Sequence, residues 1–257
     1  MCVNFLKKIR ALFTIISVIK NWPVFIAIYF KLLKSDYALL ELRNGIKIKL
    51  RVNSTDLMAF VKIWILHDYE SPGFSINNND VIIDVGAHIG LFALFSSQFC
   101  KNGKIYCVEP IKENFDLLRE NIELNKIHNI ITINAAVSTK NDTVTIYRNK
   151  DDAGHSMYVQ GSEKIEVDSI SLKNIFDSYN LYKCDFLKID CEGEEYNIIE
   201  TFTRDYFDRI MKISLEYHFA NDRPTLLENL LKTLKSHYKT STISGMSGMG
   251  YLYAKKN

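Results

Sequence analysis

Two apolar segments, each with an acidic residue at its end, constrain the fold of this chain more than any other feature. Residues 81–85 are apolar except for Asp84, and residues 105–108 are apolar up to Glu109. Short runs of this kind, bounded by turn residues, are typical of strands buried on both faces of a parallel sheet. This order of elements is typical of a nucleoside-binding crevice: a strand, a glycine turn, a helix and a second strand that ends in an acid. In such a crevice the acid accepts hydrogen bonds from the ribose hydroxyls.

The turn after the first strand indicates which nucleoside fits. A dinucleotide site needs the spacing G-x-G-x-x-G, so that backbone amides approach a pyrophosphate. Here the glycines are Gly86 and Gly90, Leu91 stands where a small residue would help the helix pack, and Asp84 would repel phosphate. The same carboxylate suits a ligand with an ammonium group and a sulfonium centre. We therefore expect the cofactor to be S-adenosylmethionine.

Four short blocks, read in order, carry a resemblance to a known family. They are DVGAHIG at 84–90, VEP at 108–110, NAAVS at 134–138 and LKIDCEGEE at 187–195. Together they resemble the FkbM-type S-adenosylmethionine-dependent methyltransferases, over a stretch from about residue 70 to about residue 220. The resemblance implies methyl transfer, with a hydroxyl of a sugar, polysaccharide or secondary metabolite as the acceptor.

The predicted cofactor site lies at the ends of the first three strands. Glu109 is expected to bind the ribose diol and Asp84 the methionine end, while His88 is a backbone-contact position inside the turn. The resemblance places the adenine beside residues 134–138. The full expected set is Asp84, Gly86, Ala87, His88, Gly90, Glu109, Pro110, Ala135 and Ala136. Structural alternatives stay open: a solvated strand-end acid, a helix-capping acid and ordinary packing of the two alanines.

A hydroxyl acceptor must be aligned with the methyl donor and must lose a proton as it attacks. The candidate bases are Asp190, Glu192, Glu216 and His218, which are expected at the carboxyl ends of adjacent strands. Repulsion between Asp190 and Glu192 would raise the pKa of one of them and make it a better base. The alternatives are a capping role for the first pair and a structural role for the second. No clear three-ligand spacing occurs, so no metal is predicted.

Two further segments are weaker candidates. His155 and Ser156 lie in a loop that resembles the family's Gly-x-Ser segment, and they either line the acceptor site or form a surface turn. Tyr69 and Glu70 precede the first central strand and are positioned to close over the cofactor.

Strand and helix patterns alternate along the rest of the chain. Residues 37–51 predict a hairpin around Asn44-Gly45, and residues 53–66 predict a helix. From residue 81 onwards the alternation predicts parallel strands with right-handed crossovers. The last two strands are joined without room for a helix and must be antiparallel. We predict an α/β fold: a doubly wound, seven-stranded, mostly parallel sheet of the Rossmann-like methyltransferase type, with its last strand antiparallel.

The amino terminus is predicted to be a separate amphipathic helical segment, residues 1–36, before a methyltransferase domain, residues 37–257. Its apolar stretches, 11–19 and 22–30, are each shorter than the roughly 20 residues that cross a bilayer. Basic residues surround them. Two interpretations remain: an interfacial helix pair on an anionic membrane, or a cap that packs on the catalytic domain or a second subunit.

Composition sets further limits. The 257 residues carry 32 basic and 30 acidic side chains, so the net charge of +2 gives no support to a nucleic-acid partner. The five cysteines form no C-x-x-C pair, which indicates a reducing, cytoplasmic location, with peripheral membrane contact as an option.

An NAD-dependent oxidoreductase is disfavoured by Asp84 and Leu91. A non-catalytic, membrane-associated scaffold with a vestigial nucleoside site is disfavoured by the acids at three strand ends.

Overall fold

The computed structural model describes residues 13–148, 163–245 and 248–256. Its strands, in chain order, are β1 (Tyr37–Glu41), β2 (Lys47–Arg51), β3 (Val81–Val85), β4 (Lys104–Val108), β5 (Ile130–Ile133), β6 (Ala136–Ser138), β7 (Asp142–Arg148), β8 (Glu163–Ser171), β9 (Phe186–Ile189), β10 (Lys212–Tyr217), β11 (Lys239–Ser244) and β12 (Gly250–Lys255). Its named helices are α1 (Trp22–Tyr29), α2 (Asp56–Phe60), α3 (Leu91–Ser96), α4 (Lys112–Leu124), α5 (Leu172–Ser178), α6 (Glu195–Glu200), α7 (Arg204–Arg209) and α8 (Pro224–Lys235).

Seven of these strands form the central sheet, in the order β11-β12-β10-β9-β3-β4-β5. The pairs from β10 to β5 are parallel, whereas β12 is antiparallel to both β10 and β11. The central strands are buried on both faces because helices cover the sheet, which explains their continuous apolar sequences. The predicted doubly wound sheet with an antiparallel last strand is confirmed.

The sheet order determines where the predicted acids meet. Strand β3 lies between β9 and β4, and β10 flanks β9 on its other side. Parallel strands end at the same edge of the sheet, so the residues that follow β3, β4 and β9, and those near the end of β10, gather there. This edge carries the candidate site.

Two smaller sheets accompany the central one. The predicted hairpin is confirmed as the antiparallel pair β1–β2. A three-stranded sheet in the order β6-β8-β7 was not predicted, because β6 is only three residues long. Helix α7 was also not predicted. The segment with His155 and Ser156 lies outside the described residues.

The hairpin leads into an irregular helix. Helix α2 is followed directly by a π-helical turn, Val61–Ile65. Such turns are rare and occur frequently at functional sites, because the extra residue re-aims a side chain. Here the turn carries Lys62, which points into the candidate site.

The described part of the amino-terminal segment packs on the hairpin. Residues Ile19, Phe25 and Ile28 are buried in a cluster with residues of β1, β2 and α3. The rings of Phe25 and Phe60 lie 6.3 Å apart. Within the described residues no helix is both long and apolar enough to cross a bilayer. The domain boundary after residue 36 stays a prediction.

Candidate active site

A cavity of ≈ 410 Å³ opens at the carboxyl edge of the central sheet. On one side of β3 it is lined by residues that follow β4, which we call the β4 side. On the other side it is lined by residues from the ends of β9 and β10, which we call the β9–β10 side. The turn between β3 and α3 forms the floor between them.

The turn requires glycine at position 86 for a steric reason. Gly86 has a φ of +73°, and a Cβ atom there would lie 1.7 Å from the carbonyl oxygen of Asp190. The amides of Gly86 and Ala87 both donate to the carbonyl oxygen of Val108, at 3.0 Å. The glycine therefore lets the ends of β3, β4 and β9 approach closely.

Glu109 is the best-anchored acid of the site. The residue is only 4% exposed, and its carboxylate accepts hydrogen bonds from the amide of His88 at 2.8 Å, the amide of Ile111 at 3.0 Å and Nδ2 of Asn114 at 3.2 Å. Burial raises the pKa of Glu109, and these hydrogen bonds oppose that rise. The carboxylate is thus held in one orientation by neighbours close in sequence.

Asn114 adds a second acceptor on the β4 side. Its Oδ1 atom is buried and has no hydrogen-bond partner among the described residues, and the side chain lines the cavity. A buried acceptor without a donor is costly unless a ligand supplies the donor. Two neighbouring acceptors, from Glu109 and Asn114, match the two hydroxyls of a ribose.

His88 takes part through its backbone, while its side chain braces the turn. Its Nε2 lies 3.1 Å from Nη2 of Arg51 and 3.3 Å from Oδ1 of Asp56. Burial lowers the pKa of His88 to about 4, although Asp56 opposes the shift, so the ring is neutral. This contact ties the turn to the end of β2 and the start of α2.

Asp84 meets a buried lysine instead of the cavity. Lys188, in the middle of β9, is 3% exposed, and its Nζ lies 3.0 Å from Oδ1 of Asp84 and 2.7 Å from the carbonyl oxygen of Gly86. Burial lowers the pKa of Lys188, but the charges of Asp84 and Asp190 and the hydrogen bond to Asp84 together more than offset this, so the net shift is upward. Lys188 lines the cavity, and Asp84 stands behind it.

The β9–β10 side is a network of ionisable side chains. The hydroxyl of Tyr69 donates to Oδ2 of Asp190 at 2.6 Å and lies 3.1 Å from Oε2 of Glu216. Lys62, from the π-helical turn, donates to Oε1 of Glu216 at 2.8 Å. Burial would raise the pKa of Asp190, but Lys188 and His218 hold it below its usual range. Burial and Asp190 raise the pKa of Glu216.

His218 is held by a buried carboxylate of α6. Oε1 of Glu195 accepts from the His218 amide at 2.7 Å and lies 3.3 Å from Nδ1 of the ring. Burial alone would lower the pKa of His218, but the hydrogen bond and charge of Glu195, together with the charges of Glu192 and Asp190, raise it to about 10. The ring is therefore an imidazolium, whose Nε2 lies 3.8 Å from Oδ1 of Asp190 and 3.7 Å from Oε2 of Glu192.

Glu192 differs from the other carboxylates. Its backbone has a φ of +53°, a left-handed conformation that costs energy for a residue with a side chain. Burial raises the pKa of Glu192 to about 7, although the imidazolium of His218 opposes the shift. It lines the cavity. Strain and a pKa near neutrality are typical of a residue that moves protons.

Atoms of Asp190, Glu192 and His218 that could ligate a metal ion lie within 4.8 Å of one another. Linear spacing did not indicate this group because it joins the ends of two strands. Two carboxylates and an imidazole can act as an acid–base cluster, and they could also ligate a divalent ion, which would displace the imidazole proton.

Most of the predicted site residues line the cavity, and three do not. Those that line it are Gly86, Ala87, His88, Glu109, Pro110, Ala136, Asp190, Glu192, Glu216 and His218. Asp84 is covered by Lys188, Gly90 starts α3 with a φ of +86° against Leu118, and Ala135 is buried in the main core. The assignment of each predicted site residue as ligand-binding or catalytic, whether or not it lines the cavity, stays a prediction.

Four contributing residues were missed from the sequence: Lys62, Asn114, Lys188 and Glu195. Lys188 carried a usable signal, because a lysine inside a buried strand is rare unless it is paired. Asn114 and Glu195 lie in helices and Lys62 lies in a π-helical turn, where nothing in the local pattern distinguishes them from ordinary polar residues.

Comparison with known proteins identifies the family. Residues 84–241, which are more than half of the chain, match the model of the methyltransferase FkbM domain. The chain belongs to this family. The membership confirms the predicted methyltransferase class and the S-adenosylmethionine cofactor, and it does not favour the oxidoreductase or scaffold alternatives.

Individual relatives are distant. Methyltransferase sdnD of Sordaria araneosa is 22% identical over 190 residues, which cover 61% of this chain and 73% of that protein. Methyltransferase 1 of Beauveria bassiana is 20% identical over 161 residues, which cover 54% and 65%. The solved structure of methyltransferase FkbM from Methylobacillus flagellatus KT has a TM-score of 0.51 at 16% identity; the match covers 91% of this chain and 59% of that one, and shows a shared fold.

Proposed function

We propose that this FkbM-family protein is an S-adenosylmethionine-dependent O-methyltransferase, with a hydroxyl of a sugar, polysaccharide or secondary metabolite as its acceptor. The observation that carries the proposal is the two-sided cavity. The β4 side offers acceptors fixed for a diol, and the β9–β10 side offers a carboxylate suited to removing a proton. S-adenosylmethionine would supply a methyl group already activated by its sulfonium centre.

On the β4 side, Glu109 and Asn114 are the residues that would bind the ribose hydroxyls. Pro110, Ile111, Ala136 and Val137 line the adjoining wall, which gives a flat adenine an apolar surface. The methionine end would lie along the turn at Gly86. Asp84 would contribute there by holding the Lys188 ammonium in place.

On the β9–β10 side, we assign the base to Glu192. Asp190 has a lowered pKa and is a weak base, His218 is already protonated, and Glu216 is paired with Lys62. Glu192, with a pKa of about 7, is half ionised near neutral pH and is strong enough to accept a proton from an attacking hydroxyl. His218 would stabilise the ionised form of Glu192 through its charge.

Binding and transfer test the proposal separately. S-adenosylmethionine should bind the full chain in a calorimetric titration, and NAD should not. Glu109→Ala should weaken that binding by about 100-fold or more, because the diol loses its partner and two backbone amides lose their acceptor. The matched control is Glu123→Ala, an exposed acid of α4, which should bind normally.

Circular dichroism would verify that both variants are folded. Unchanged affinity in Glu109→Ala would overturn the cofactor assignment. Transfer of labelled methyl from S-adenosylmethionine to glycan or metabolite extracts tests the acceptor class. Base-stable label would contradict methylation of a carboxyl group, and label found on nitrogen or carbon would contradict O-methylation.

A further inference from the structure

Helix α1 is apolar on the face that points away from the protein. Its sequence, WPVFIAIY, contains no charged residue. Phe25 and Ile28 are buried against the hairpin and Ile26 is partly buried against the same cluster, while Trp22 and Tyr29, spaced i, i+7, share an exposed face. A helix that packs on a core normally presents polar side chains on its outer face. This one presents rings instead.

The outward rings continue past the end of the helix. Tyr29 and Phe30 are each 63% exposed, and Leu32 is 69% exposed. Lys31 and Lys34 alternate with them, are exposed, and make no ion pair with any residue in the described ranges. We call Trp22, Tyr29, Phe30, Leu32 and the two lysines the α1 surface.

Charge is distributed unevenly along the chain. The first 35 positions contain six basic residues and no acid, and the first acid is Asp36. The other 222 positions contain the remaining 26 basic residues and all 30 acidic ones. The excess of basic residues is thus concentrated in the first 35 positions of the sequence, while the rest of the chain is net acidic. Of these basic residues, Lys31 and Lys34 lie beside the exposed rings.

We propose that the α1 surface docks on an anionic lipid bilayer. Aromatic rings with one polar edge sit favourably at the headgroup level, and lysines beside them are attracted to anionic headgroups. A second copy of the chain fits this surface less well, because two such surfaces brought together would oppose like charges. The inference stands on the surface alone and does not depend on the proposed chemistry.

Docking would place the cavity close to the lipid. Helix α1 contacts α2 through the rings of Phe25 and Phe60, and α2 carries Met58, which lines the cavity and is 61% exposed. The wall of the cavity is therefore one helix away from the docked surface. An acceptor held at the bilayer surface would reach it without leaving the membrane.

Vesicle flotation with the full chain tests the proposal. The wild type should float with phosphatidylcholine vesicles that contain phosphatidylserine, and salt should weaken the binding because it screens the lysines. It should bind pure phosphatidylcholine weakly. The double substitutions Tyr29→Ser/Phe30→Ser and Lys31→Glu/Lys34→Glu should each weaken binding by roughly tenfold or more.

The matched controls change an exposed ring and an exposed lysine elsewhere: Tyr182→Ser, at an 88% exposed position, and Lys101→Glu. Both should bind as the wild type does, and thermal unfolding would verify that all variants fold. Absence of wild-type binding to anionic vesicles, or equal binding by the α1 variants, would overturn the proposal. Light scattering would show whether the wild type is a dimer. A wild-type dimer that becomes a monomer in the Tyr29→Ser/Phe30→Ser variant would assign the surface to a second copy of the chain instead.

Discussion

The two sides of the cavity are built in opposite ways. On the β4 side, Glu109 is held by backbone amides and one side-chain amide, none of which changes charge. On the β9–β10 side, Asp190, Glu192 and His218 are held by other ionisable groups. The donors of the first arrangement do not titrate, whereas in the second arrangement the basicity of each group depends on the charge of its neighbours. The difference is that between a recognition site and a site for proton transfer.

The sharpest test of this difference is Glu192→Gln. If Glu192 removes the proton, kcat should fall by about 10²–10⁴-fold, while the affinity for S-adenosylmethionine, set on the β4 side, stays unchanged. The wild-type rate should rise as pH increases through about 7, because the base works only when it is deprotonated, and the variant should lack this limb.

The control for that variant is Glu200→Gln, an exposed acid on α6, which should retain the wild-type rate and pH profile. A Glu192→Gln enzyme that keeps the pH limb near 7 would remove Glu192 as the base. Glu192→Asp, which keeps the carboxylate, should recover part of the lost rate.

The same difference decides how much of the site could be predicted from the sequence. The β4 side was largely predictable, because its main residues follow β3 and β4 directly and local motifs mark them. The four base candidates were predictable as a group, since the ends of adjacent parallel strands meet. Their separate roles were not, because their pKa values depend on one another and on residues from three other places in the chain: Lys62 for Asp190 and Glu216, Lys188 for Asp190, and Glu195 for Glu192 and His218.

The fold shows the same division. The parallel direction of the central strands followed from the alternation of strand and helix patterns, and the antiparallel end followed from the short connection between the last two strands. The small sheet of β6, β7 and β8 did not, because β6 has three residues and its parallel pairing with β8 depends on contacts distant in sequence. The role of Tyr69 was also predicted only in outline. The contact between its hydroxyl and Asp190 depends on how the segment between α2 and β3 packs.

A second test removes the cation between the two sides. Lys188→Met should lower the free energy of unfolding by about 3–5 kcal/mol, because it leaves the fully buried Asp84 unpaired. Burial raises the pKa of Asp84 in the fold, so the loss should be largest at neutral pH and should shrink as acid protonates the carboxyl.

The double variant Asp84→Asn/Lys188→Met supplies the control in a denaturant-unfolding cycle. It should be less destabilised than the sum of the two single variants, because the buried charge is gone. Strict additivity would show that the two side chains are independent and that Asp84 does not act through Lys188.

A third test examines the floor that joins the two sides. Gly86→Ala should cost about 3 kcal/mol, since its Cβ would displace the carbonyl of Asp190 in addition to the left-handed backbone strain. Gly45→Ala is the matched control: it also has a positive φ, of +93°, but no atom lies within 4 Å of its Cβ position. Equal losses of thermal stability in the two variants would show that the close approach at position 86 contributes nothing.

The smallest effect is expected for Tyr69→Phe. Burial raises the pKa of Tyr69 well above its usual value, so the hydroxyl remains a donor at any working pH. Its loss removes one hydrogen bond from Asp190, which should cost about 1–2 kcal/mol and reduce kcat less than tenfold. The affinity for S-adenosylmethionine should not change, because the substitution keeps the ring and removes only the hydroxyl, whose hydrogen-bond partners Asp190 and Glu216 are both on the β9–β10 side. A loss of cofactor affinity as large as the loss of kcat would show that the two sides are not separate, and the comparison between them would fail.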